Sequence, residues 1–108
     1  MKRGDLITVV VAGEHAKPRP AVVIQSDTLQ SAATVLVCLL TGEVEKTSET
    51  RVRIDPEPTN GLRKPSLIQG EKIYPMNRSR CGPRIGVLSP DQMRDLDVVL
   101  TFVLGLGD

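Results

Sequence analysis

The sequence predicts a mainly β chain with one α-helix: a compact, mostly antiparallel barrel-like sheet closed by a C-terminal helix. Six short runs of β-branched or alternating apolar residues lie between polar segments punctuated by Gly and Pro. A single strong helix-start signal, Ser89-Pro90-Asp91-Gln92, stands near the C-terminus. At 108 residues the chain has room for one domain, 1–108, and one modest core.

The first strand is expected over Leu6–Val11, after the turn-like Lys2-Arg3-Gly4-Asp5. Residues 12–20 form a polar loop in which Pro18 and Pro20 fix φ and keep the residues before them extended. Ala21–Gln25 is the second strand and Thr34–Leu40 the third. The apolar run from Val35 to Leu40 points to a strand covered on both faces. Thr41–Thr50, with Gly42, three glutamates and one lysine, has the composition of a loop. Arg51–Ile54 alternates as a half-buried strand does, and Pro56, Pro58, Asn60-Gly61 and Pro65 mark the loop after it. Leu67-Ile68 and Ile73-Tyr74 bracket Gly70, the pattern of a strand with a bulge or bend. Ile85–Leu88 is the last strand. In the helix, Ser89 is the N-cap, Pro90 sits at N1, Asp91 complements the dipole and Gln92 completes a capping box. Met93, Leu96, Leu100, Val103 and Leu104 recur at helical spacing before Gly105 and Gly107 stop it.

Composition excludes several functions. The only aromatic residues are Tyr74 and Phe102, so the core is aliphatic and a broad base-stacking platform has almost nothing to work with. A net charge of +1 rules out a strongly basic coat but not a local basic patch. His15 is the only histidine, and Cys38 and Cys81 lack the spacing of zinc ligands, so no metal and no cofactor are expected. Both cysteines read as reduced and structural. No apolar stretch reaches the ~18 residues that a membrane helix needs. No secretory core follows Met1, because Asp5 interrupts it. The expected compartment is the cytoplasm.

No single motif is decisive for chemistry. There is no Gly-rich phosphate loop, no nucleophile elbow and no histidine-based acid–base pair. Polar residues do stand where strands end: Arg19 just precedes the second strand and Thr41 just follows the third. If those strands are antiparallel neighbours, the two side chains meet at one rim of the sheet. Taken alone, Arg19 reads as a solvated loop charge and Thr41 as a turn former.

In chain order, Lys2-Arg3-Gly4-Asp5-Leu6, then Arg19-Pro20-Ala21-Val22-Val23-Ile24-Gln25-Ser26-Asp27, then the apolar strand ending at Thr41, resemble the MazF/PemK/Kid family of toxin endoribonucleases. Gly61-Leu62-Arg63-Lys64-Pro65-Ser66 is similar to that family's Gly-Leu-x-x-x-Ser segment. Ile73–Arg80 is similar to its Ile-x-x-x-Asp-x-x-Arg stretch, and Ile85-Gly86-Val87-Leu88-Ser89 to its step into the last helix. The resemblance spans Lys2 to about Leu106. It implies an SH3-like barrel of the CcdB/PemK type, a homodimer, and sequence-selective, metal-independent cleavage of single-stranded RNA. It also implies a cognate antitoxin that blocks the RNA groove.

Residue by residue, the resemblance assigns catalytic roles to Arg19, whose planar guanidinium suits a phosphate transition state, and to Thr41, whose hydroxyl reaches the scissile phosphate. The Arg-x-Asp pair of Kid-type relatives falls on Gln69 and Glu71. Glu71 keeps a base role, Gln69 supplies no cation, and Lys72 is the candidate to restore the charge. His15 and Lys17, on a first loop several residues shorter than is usual for the family, with Ser66, Gln69, Lys72 and Arg78, are the expected RNA contacts. Two other readings keep the fold without the reaction. One is a CcdB-like gyrase inhibitor, disfavoured because the chain lacks Trp and ends Leu104-Gly105-Leu106-Gly107-Asp108. The other is an inactive antitoxin-binding module, which the Gln69 position keeps open.

Overall fold

The computed structural model describes residues 1–11, 13 and 17–108. Six strands precede one helix: β1 (Asp5–Val9), β2 (Arg19–Val23), β3 (Thr34–Thr41), β4 (Arg51–Ile54), β5 (Ser66–Asn77), β6 (Cys81–Val87) and α1 (Pro90–Val103). Short 3₁₀ turns cover Asp27–Leu29 and Arg78–Arg80. All strands join one antiparallel sheet in the order β4-β5-β3-β2-β1-β6.

β3 sits inside the sheet, and its alternate residues feed two apolar clusters. Cys38 and Leu40 pack with Leu6, Val22, Ile54 and Ile68 beneath Leu96 and Leu100 of α1. Val35, Val37 and Leu39 pack with Ile7, Val9, Ala21, Val23 and Met76 on the opposite face. This is the two-sided burial expected of the run, except at Leu36, which is exposed, and it follows from the period-2 alternation of strand side chains. The helix starts as predicted. The Ser89 hydroxyl accepts from the Gln92 N–H at 3.1 Å, and the Gln92 side chain accepts from the Ser89 N–H at 2.8 Å. Leu104, expected in the buried stripe, is exposed at the helix end.

The sheet departs from the expected closed barrel in one respect: β4 and β6, its two edges, do not pair. β4 has only four residues and runs into Pro56 and Pro58, which have no N–H to offer a partner strand. The β4–β5 loop fills the seam instead. Buried Asn60 knits that loop, donating to the Asp55 carbonyl and accepting from the N–H groups of Glu57 and Leu62. The Val87 N–H then donates to the Thr59 carbonyl at 2.9 Å. Gly61, at φ +68°, lies so close to the Ile85 carbonyl that no side chain fits there. β6 also begins earlier than expected, at Cys81, because Cys81 pairs with Val9 of β1 and Arg84 with Ile7, with Gly82 and Pro83 in the irregularity between them, a pairing that no apolar pattern marks.

Candidate active site

β2 and β3 are antiparallel neighbours with Ala21 opposite Leu39 and Val22 opposite Cys38. The first residue of β2 and the last of β3 therefore lie at one end of the sheet. Arg19 has the parity of Ala21 and Val23, and Thr41 that of Val37 and Leu39, so both project from the face away from α1. They line a recess of about 160 Å³ together with Gln69, Lys72 and Tyr74. The Thr41 Oγ1 accepts from the Glu43 N–H at 3.2 Å, which leaves its hydroxyl hydrogen available to donate.

The opposite wall of this recess is made by an irregularity in β5. Cys38 pairs with Ile73 and Leu40 with Ile68, so Leu39 alone faces the four residues 69–72. This is the bulge expected around Gly70. The carbonyl of Leu39 loses its ladder partner there, and buried Gln69 replaces it by donating from Nε2 at 3.3 Å. Gly70 is buried against Val99 of α1, and its N–H donates to the Thr50 carbonyl at 2.9 Å. A Cβ at Gly70 would lie 2.7 Å from that carbonyl oxygen. The residues after it diverge. Lys72 lines the Arg19–Thr41 recess, whereas Glu71 lines a different one beside Thr50 and Arg51.

The structure therefore does not bring Glu71 to Arg19 and Thr41. Its carboxylate accepts from Arg51 Nη2 at 2.7 Å, Arg51 Nε at 3.2 Å and the Thr50 hydroxyl at 2.8 Å. Burial pushes its pKa up. The hydrogen bonds from Arg51, the backbone and Thr50, with the charge of Arg51, outweigh that and hold it below the ordinary glutamate range. Burial, reinforced by the Glu71 charge, pushes the Cys38 thiol up to about 12, so Cys38 stays protonated and unreactive.

Next to this recess is another of about 260 Å³, which shares Arg19 and Thr41 and adds Lys17, Lys64 and Ser66. Ser66 is buried and donates to the Lys64 carbonyl at 3.2 Å. The Lys64 side chain lies across Gly42, where a Cβ would be 2.7 Å from its Nζ. A third, of about 630 Å³, continues past Lys17 and Ser66 to Arg63, Leu62 and Ile85. Among the described residues, these three adjoining recesses are lined by Lys17, Arg19, Arg63, Lys64 and Lys72 and by no carboxylate. A chain of net charge +1 thus concentrates cations in one groove.

Arg78 is not part of that groove. Its Nε donates to the Ala32 carbonyl at 2.6 Å and its Nη2 to that of Leu29 at 3.5 Å, which ties it to the loop before β3. His15 lies outside the described residues. Sequence reasoning passed over Lys64, Arg63 and Tyr74. The first two stood in the quoted Gly61–Ser66 segment, but only the fold of the β4–β5 loop carries them to the strand ends. Among the described residues, no group of three His, Cys, Asp or Glu side chains converges to hold a metal.

The family described as PemK-like, MazF-like toxin of type II toxin-antitoxin system matches residues 2–104. A protein named "Probable endoribonuclease MazF", from Mycolicibacterium smegmatis, is 34% identical over 108 residues, 99% of each chain. The fold is shared with an endoribonuclease in complex with its cognate antitoxin from a mycobacterial species, at 20% identity and TM-score 0.83, covering 98% of this chain and 96% of that one. Toxin MazF-mt6 of Mycobacterium tuberculosis aligns at 20% identity and TM-score 0.80, covering 94% and 96%.

Proposed function

The chain belongs to the PemK-like, MazF-like toxin family of type II toxin–antitoxin systems, and from that premise we propose how it works as an endoribonuclease. It cleaves single-stranded RNA by transesterification, without a metal. The 2′ oxygen of one nucleotide bonds to the adjacent phosphorus and the bond to the 5′ oxygen breaks, giving a 2′,3′-cyclic phosphate and a 5′-OH end. The 2′ proton must be removed, the leaving oxygen must gain one, and the phosphate carries extra negative charge in between.

One observation carries this reading: Arg19 and Thr41 converge on a recess whose described lining is cationic and free of carboxylates. Such a lining suits a polyanion and a pentavalent phosphate, and holds no oxygen cluster for a divalent ion. In this proposal Arg19 neutralises the transition-state charge and Thr41 donates its hydroxyl to a phosphate oxygen. Lys72 takes the cationic place that Gln69 cannot fill, and Gln69 braces the bulge. Lys17, Lys64 and Ser66 hold the adjacent RNA backbone. Glu71, ionised and held by Arg51 and Thr50, pins the bulge that presents Lys72, and its lowered pKa makes it a weak base. His15 is then the candidate for proton transfer. Arg78 has a structural role.

The protein works as a homodimer with its groove across the two-fold axis, in the cytoplasm, and is silenced there by a cognate antitoxin. The second subunit is carried over from the family to which the chain belongs. The test is cleavage of a defined transcript by purified protein in EDTA, with the termini analysed. Intact activity with cyclic-phosphate and 5′-OH ends is expected. Activity abolished by the chelator and restored by magnesium or zinc would overturn the mechanism.

A further inference from the structure

Tyr74 is the one tyrosine of a chain without tryptophan, and its position is not that of a core residue. It pairs across the sheet with Val37, so it projects from the same face as Arg19 and Thr41, and 36% of it remains exposed. It lines the Arg19–Thr41–Lys72 recess and also a second one of about 370 Å³ on its other side. That second recess is walled by Val11, Pro75 and Met76, with Asn77 and Arg80 as its polar members. Tyr74 thus forms the partition between the reaction centre and a mixed apolar and polar cleft large enough to take a nucleobase.

We propose that the cleft behind Tyr74 is a nucleotide subsite: the base next to the scissile phosphate stacks on the Tyr74 ring, Asn77 faces its polar edge, and Arg80 meets the following phosphate. The inference rests on the endoribonuclease reading above and adds to it where the strand goes after leaving Lys72. The chemistry fits. A phenol ring stacks on any base, an amide can both donate to and accept from a base edge, and a guanidinium suits a phosphate. Phe102 lies on α1 and is absent from the lining of every recess in the groove. Among the described residues, stacking on an aromatic ring therefore falls to Tyr74. A composition that excludes a broad aromatic platform still leaves the Tyr74 ring beside the recess of Arg19 and Thr41.

The test uses Tyr74 as the chain's own fluorophore. A cleavage site is first mapped in a defined transcript. A ten-nucleotide RNA spanning it is then made with a 2′-deoxy nucleotide in place of the attacking one, which removes the nucleophile. Binding is followed by anisotropy of a 5′-fluorescein form and by tyrosine emission with the unlabelled form. Saturable quenching of tyrosine emission is expected, relieved by an abasic residue at one flank of the scissile phosphate. Y74A should weaken binding about tenfold and raise KM with kcat nearly unchanged, and Y74F should restore both. RNA that binds by anisotropy without quenching tyrosine, or that binds Y74A as tightly as wild type, overturns the subsite and leaves the endoribonuclease reading standing. RNA that neither binds nor is cut overturns both.

Discussion

Arg19 and Thr41 are held by strand ends and belong to neither apolar cluster, so each can be changed without loss of the core. R19A removes the transition-state cation and should lower the cleavage rate by about 10² or more, the loss seen when one oxyanion donor is deleted. T41V keeps shape and strand propensity but deletes the hydroxyl, and should lower the rate with circular dichroism unchanged. Folded R19A that cuts at the wild-type rate would end this assignment. Glu71 behaves differently. With its carboxylate held by Arg51 and Thr50 in a separate recess, E71Q should cost about 1 kcal/mol of stability and only a few-fold in rate. A loss as large as that of R19A would return the base role to Glu71. The pH dependence has a definite sign. The folded-state pKa of Glu71 is lowered, so its contribution is complete above the ordinary glutamate range and disappears as pH falls through the lowered value. The stability gap between wild type and E71Q, read by urea denaturation, should therefore close in acid.

Two local devices set the outcome for whole elements. The bulge of β5 depends on Gly70, because any Cβ there meets Val99 of α1 and the Thr50 carbonyl. G70A should destabilise the fold by about 1–3 kcal/mol and displace Lys72 and Gln69, so that activity falls even at temperatures where the protein remains folded. The helix cap is the contrasting case. S89A deletes the acceptor for the Gln92 N–H and should cost about 1 kcal/mol in chemical denaturation, with the cleavage rate of the folded protein unchanged because α1 lies on the face away from Arg19 and Thr41. Equal effects of the two variants on specific activity would show that the bulge does not position the site.

The molecule as a whole is nearly neutral, yet five of its fourteen lysines and arginines line three adjoining recesses that no described carboxylate lines. Affinity for a polyanion therefore rests on local arrangement, and pairing two such grooves in a dimer would double the track. Sedimentation at micromolar concentration should give about twice the 11.7 kDa chain mass. A clean monomer there would defeat the proposal that the groove crosses a two-fold axis.

The strand–loop order, the two-sided burial of β3, the bend at Gly70 and the capped helix were legible because each depends on near neighbours in the chain: side-chain period, turn chemistry and cap residues. The meeting of Arg19 with Thr41 was legible in the same way, since antiparallel neighbours bring the start of one strand to the end of the next. Other features depended on side chains choosing among distant partners, which no local pattern encodes. The divergence of Glu71 from Lys72 depends on Arg51, twenty residues earlier, drawing one carboxylate across to β4. Arg78 is committed to carbonyls more than forty residues before it. The open seam between β4 and β6 depends on Asn60 folding its loop into the gap. Lys64 and Tyr74 join the groove only because that loop and the β5 bulge carry them there, by packing between segments distant in the chain.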